Sequence, residues 1–158
     1  MEMPATDTFD VAASPPALLQ VAALCWRMHK GHAEVLLITS RDTGRWVLPK
    51  GWPITGLTPH AAAAREAWEE AGVEGKITDA ALGEFLYDKA IPSATAMPCA
   101  VAVYPLRVRA LKARFPEARQ RRRAWFRASD AADRVAEPSL QALLRRIDAK
   151  PGLLSGAA

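Results

Sequence analysis

LPKGWPITGLTPHAAAAREAWEEAGV, residues 48–73, decides how the rest of this chain is read. Its second half carries the marks of one helix. Thr58 is a natural N-cap, and Pro59 suits the first helical position. Ala61, Ala62, Ala63 and Ala64 supply helix propensity, and Gly72 is placed to end the helix in the left-handed conformation. At roughly 100° per residue, Glu70 falls about 40° from Glu66, and Glu69 about 60° the other way. The three carboxylates therefore share an arc of roughly 100°, with Ala64, Ala67, Trp68 and Ala71 on the opposite side. The pattern predicts a helix that packs on a sheet with one face and holds out three acids with the other.

Those acids stand in the last turns, where the helix dipole disfavours negative charge. A solvated acidic face is the plain alternative, but it does not explain the absence of interleaved lysines. A divalent cation does. Clustered carboxylate oxygens suit hard Mg²⁺ or Mn²⁺, which keep several waters and also ligate phosphates.

Outward from this helix the elements are short and mixed. LQVAALCWR (19–27) and AEVLLITS (33–40) read as a hairpin turning at MHKGH, and RWVLP (45–49) as a brief third strand. LGEFLYD (82–88) and CAVAVYPLRVR (99–109) read as strands joined by the loop KAIPSATAMP, with Pro105 marking a bulge or a sheet edge. RRAWFRAS (122–129) is a last strand. Ser129 is placed to cap a short helix, and Pro138 to open another whose Leu140, Leu143, Leu144 and Ile147 share a face. Strands around a central helix with helices at the end imply an α+β fold, a mixed sheet between helices.

The length, 158 residues, fits one domain with a real core, and 50% hydrophobic content excludes a largely disordered chain. We expect a flexible arm over 1–16, a single domain over 17–150 and a frayed tail over 151–158. Cys25 and Cys99 are too few for a disulfide framework and lack metal-finger spacing, which makes a cytoplasmic setting the default. No targeting or membrane-spanning segment is visible; ALLQVAALCW is too short to cross a bilayer. The net charge is +4, but its distribution says more. Arg107, Arg109, Lys112, Arg114, Arg119, Arg121, Arg122 and Arg123 crowd one stretch against the single acid Glu117. Such a run is either a solvated basic loop or an electropositive wall for a polyanionic partner. Nucleic acid is the less expected partner, because few aromatic side chains are interleaved there.

The stretch from Gly51 to Val73 resembles the signature of the Nudix hydrolases, G-x5-E-x7-R-E-U-x-E-E-x-G-U, where U is aliphatic. Gly51, Arg65, Glu66, Ala67, Glu69, Glu70, Gly72 and Val73 fill their places. Leu57 stands where the family has its first Glu, which pairs with the signature Arg. That leaves Arg65 to pair with Glu69, four residues on. A Glu restored at position 57 is expected to be tolerated, or to raise activity by restoring an ion pair with Arg65.

The resemblance implies an α/β/α sandwich with a loop–helix–loop that holds Mg²⁺ or Mn²⁺, and hydrolysis of a pyrophosphate. It implies metal ligation by Glu66, Glu69 and Glu70, with Arg65 as the fourth residue of the catalytic set. The general base is Glu66, Glu70 or an acid from a later loop, for which Glu84, Asp88 and Glu117 are available. For substrate, Lys50 and the Gly51 backbone are expected at metal or phosphate, Trp52 on a base, and Arg41, Arg45 and Lys89 at phosphate. Within the family, RWVLPKG, EEAGVEGKI, LGEFLYDK and RRRAWFRASDAADRV look like the diphosphoinositol polyphosphate and diadenosine polyphosphate phosphohydrolases. Those substrates are expected ahead of ADP-ribose, nucleotide sugars or nucleoside triphosphates, with a weakly catalytic nucleic-acid or nucleotide binder as the competing class. The protein is expected to be a monomer or homodimer.

Overall fold

The computed structural model describes residues 18–90 and 96–156. The expected arm over 1–16 and the middle of the loop after Lys89 lie outside the described residues.

Two long strands form the centre of a mixed sheet. β1 (Leu18–His29) and β7 (Met97–Leu111) run parallel, registered from Leu18↔Cys99 to Trp26↔Arg107. Every other pairing is antiparallel. β1 turns into β2 (His32–Thr39) through Lys30 and Gly31, both at positive φ, the turn geometry that matches strand twist. β8 (Arg123–Arg127) pairs with the far side of β2.

Both central strands change partner halfway. β1 pairs with β2 only from Trp26 onward, and the wedge where the two part is filled by β3 (Trp46–Val47) on β2 and β4 (Lys50–Gly51) on β1. β7 pairs with β6 (Gly83–Lys89) up to Val103 and with β5 (Val73–Ile77) from Leu106. Pro105 falls in that changeover, where its carbonyl accepts from the Thr78 amide and no ladder bond needs its missing N–H. The sheet's irregularity lies instead in β5, between Glu74 and Gly75. β5 itself was not expected: VEGKI is short, and only its pairing with β7 makes it a strand.

Helix α1 (Pro59–Ala71) has the predicted ends. The Thr58 hydroxyl accepts from the Ala61 amide at 3.3 Å, and Gly72 is left-handed at φ 67. Its Ala62, Ala63, Ala67 and Ala71 pack on one face of the sheet, against Ala23, Cys25, Leu36, Ile38 and Leu106. α2 (Ala128–Arg134) and α3 (Pro138–Ala149) cover the other face, with Leu140, Leu143, Leu144 and Ile147 buried. The result is the expected α/β/α sandwich. Ser129 does not cap α2: its amide bonds the Asp148 carboxylate of α3 at 3.3 Å, which already serves that end. The C-terminal stretch is not frayed where it is described. Pro151–Ser155 form a 3₁₀ turn that seats Leu154 in the core, so burial outweighs the freedom of a chain end. Among the described residues no helix is long and apolar enough to cross a membrane.

Candidate active site

The wedge strand β4 lies beside the C-terminal half of α1, and that juxtaposition builds a cleft of about 440 Å³. Gly51 is required there. A Cβ at this position would lie 2.5–2.8 Å from the Glu66 carboxylate, so only glycine lets the acid back onto the chain. One residue earlier, the Lys50 amide donates to Glu70 Oε1 at 3.3 Å. The signature loop and helix thus hold each other through the acids.

The Glu66 and Glu70 carboxyls are close enough to shift one another's protonation. Glu70 is only 8% exposed, which corrects the expectation that all three acids face out. Burial first, then the neighbouring Glu66 carboxyl, pushes its carboxyl up to about 8. Burial also raises Glu66. Two adjacent carboxyls, one buried and one half-buried, both held above the usual carboxylate range, form a donor pair that a hard divalent cation can engage. The donor set fits Mg²⁺ or Mn²⁺ through these two side chains. Among the described residues, no group of three Asp, Glu, His or Cys side chains stands close enough to hold a metal. Glu69 does not line the cleft; it projects from the other flank of the acidic arc.

The cleft brings together all six of the predicted binding residues: Arg41, Arg45, Lys50, Gly51, Trp52 and Lys89 line it. Lys50 Nζ lies 5.0 Å from the Tyr87 ring centroid, and burial lowers its pKa despite the pull of Glu70. Lys89 Nζ lies 5.6 Å from the ring of Trp52, which is 46% exposed. Arg41 Nε is 4.0 Å from Glu117, and Arg45 is 3.8 Å from Glu137. Arg65 is not brought in. It is exposed, and the expected pair with Glu69 is absent, since solvent screening leaves such a surface pair little to gain. The loop is braced by packing instead: Leu57 is half-buried with Ile54 against the alanine face of α1, and its amide bonds the Ile54 carbonyl at 3.0 Å.

Arg121 is the residue the sequence concealed. Its side chain, 10% exposed, reaches Glu117 at 2.7 Å, the Thr39 carbonyl at 3.1 Å and Glu70 at 3.8 Å. In the sequence it is one arginine among many. The basic run is no continuous wall, because its members are used separately. Arg107 lies over Trp26, Arg122 over Trp46, and Arg123 donates to the Ala71 carbonyl at 2.6 Å, where a cation suits the end of α1. Glu117 also lines the cleft, whereas Glu84 and Asp88 are exposed on β6 outside it.

The chain matches the family model described as NUDIX domain over residues 18–147. It is 33% identical over 114 residues to the Homo sapiens diphosphoinositol polyphosphate phosphohydrolase 3-alpha, covering 71% of this chain and 65% of that relative's length. It is 34% identical over 108 residues to the Arabidopsis thaliana protein named Nudix hydrolase 16, mitochondrial, covering 66% of this chain and 59% of that one. Among solved structures, a C. elegans Ap4A hydrolase binary complex superposes with a TM-score of 0.67 at 20% identity, over 89% of this chain and 100% of that one. The NUDIX domain of Shewanella oneidensis NrtR, complexed with ADP ribose, gives 0.63 at 18% identity, over 97% and 99%. Sheet, signature helix and family match agree, and the chain belongs to the Nudix family.

Proposed function

We propose that this protein hydrolyses a pyrophosphate bond in a polyanionic substrate, a dinucleoside polyphosphate or a diphosphoinositol polyphosphate, with Mg²⁺ or Mn²⁺ held by Glu66 and Glu70. The observation that carries the reading is one cleft with an acidic floor and a cationic rim. Glu66 and Glu70 lie against Gly51, while Arg41, Arg45, Lys50, Lys89 and Arg121 line the same space. A polyphosphate chain needs that rim, and the metal, when bound, supplies neutralisation of phosphate charge and a lowered pKa for water. The names of the human and worm relatives point to the same substrate class.

The chain's own groups divide the remaining work. Lys50 and Arg121 bind phosphate oxygens, Arg121 being held ready by Glu117 and the Thr39 carbonyl. Trp52 offers an exposed ring for a base to stack on, which favours a nucleotide substrate. Glu117, of the three later acids, is the one in the cleft and takes the proton from the attacking water.

The test is phosphate release and product identification across diadenosine polyphosphates, diphosphoinositol polyphosphates, ADP-ribose and nucleoside triphosphates, each with Mg²⁺ or Mn²⁺. Turnover of either proposed class, abolished by chelation, supports the reading. Silence across the panel, or preferred turnover of ADP-ribose, overturns it.

A further inference from the structure

A second depression, of about 570 Å³, shares no lining residue with the cleft. It lies where β5 leaves the sheet, between the β5 end and the 3₁₀ turn at Pro151–Ser155. Two cations meet there. Lys76 and Arg107 are direct cross-strand partners on β5 and β7, so both side chains rise from the same face. Like charges opposite one another in a sheet destabilise it. Among the described residues neither has an acidic partner within salt-bridge distance. Arg107 is also held in place: its guanidinium carbon lies 5.3 Å from the ring centroid of Trp26, its partner on β1. Thr78, Ser155 and His60 line the same depression, though the Ser155 hydroxyl already donates to the Gly152 carbonyl at 3.2 Å. Among the described residues Asp79 is the one acid in the lining, and it is exposed.

We propose that this depression is an anion site for a phosphate group, either free or as a phosphomonoester, separate from the catalytic cleft. A guanidinium and an ammonium side by side on one face, with Thr78 lining the same space, match a tetrahedral oxyanion with several acceptor oxygens. A bound dianion also removes the Lys76–Arg107 repulsion that the empty strand pair carries.

The two sites have separate reporters, because Trp26 lines the depression and Trp52 the cleft. The experiment follows the assigned indole N–H resonances of the full chain during titration with inorganic phosphate, and in parallel with adenosine monophosphate, against sodium chloride at equal ionic strength. Trp26 is expected to shift saturably with both phosphates and not with chloride. A response to adenosine monophosphate alone assigns the site to phosphomonoesters, and a response to inorganic phosphate alone to the free ion. Lys76→Gln, on an exposed edge strand, is expected to weaken binding by about fivefold or more through loss of a charge-assisted bond, and Asp79→Asn to tighten it. Glu70→Gln is expected to leave the Trp26 response unchanged. The absence of a saturable Trp26 shift with either phosphate, whatever Trp52 does, or a Trp26 midpoint that ignores Lys76→Gln and Asp79→Asn, overturns the proposal. Neither result bears on hydrolysis in the cleft.

Discussion

Against α1 the sheet meets alanines; on the other face the short α2 also offers alanines, but α3 sets three leucines and an isoleucine against the strands. Small side chains bring the α1 backbone close to the strands. That approach sets Glu66 against the Gly51 backbone and Glu70 within reach of the Lys50 amide. It also buries a carboxyl, which works against stability. The large side chains of the other face bury the area that offsets it. One face of the sheet carries the chemistry, and the other carries more of the fold.

The sharpest way to break this division is at the acids. Glu70→Gln is expected to cut turnover at least about a hundredfold while the metal-free protein keeps or gains thermal stability above about pH 8, because a carboxyl that burial disfavours in its charged form is replaced by a neutral amide. Wild-type turnover in that variant would remove Glu70 from the site; running Glu69→Gln beside it measures whether the flanking acid joins. On the opposite face, Leu144→Ala should cost about 2–5 kcal/mol in denaturant unfolding and leave kcat/KM per folded molecule unchanged. Ala67→Leu, at a fully buried α1 position, should cost about 1–3 kcal/mol and lower activity as well, since the helix must move off the strands. Equal activity losses in those two variants would erase the contrast between the faces.

Leu57→Glu tests the loop brace. The spacing alone suggested tolerance, but Leu57 packs with Ile54 on α1, so the change should cost about 1–2 kcal/mol and reduce turnover. A gain in activity would restore the ionic brace as the better account. The smallest effect is on pH dependence. In the chelated protein the folded-state pKa of Glu70 is raised from 4.5 to about 8, so its contribution to stability is full below 4.5 and lost as pH rises toward 8. The melting temperature of metal-free wild type should therefore fall across that window, and that of Glu70→Gln should fall less.

The caps of α1, the acidic arc and the hairpin were legible because each depends on residues within a turn or two of one another. Glu70 faces its arc as counted, yet its burial depends on β4, which the sequence places twenty residues away. The expected Arg65–Glu69 pair is absent for a related reason. Spacing shows who can reach whom, while exposure decides whether a pair forms. Arg121 lay open in the sequence, but nothing local separated it from the arginines that cover Trp26 and Trp46, and nothing local separated Glu117 from Glu84 and Asp88. β5 was missed because an edge strand is defined by its neighbour.

The stitching of α1's C-terminus has a consequence for the order in which the site comes into being. The Lys112 amide bonds the Gly72 carbonyl, the Glu117 amide bonds the Glu69 carbonyl, Arg123 reaches Ala71, and Phe115 lies where a side chain at Gly72 would go. A nascent chain that has reached only Leu111 holds the complete signature and the helix, but not the loop that closes the last turn or the arginine that meets Glu70. Those contacts span dozens of residues, so they form late and slowly compared with the helix itself. The acids therefore exist as a motif long before they exist as a site.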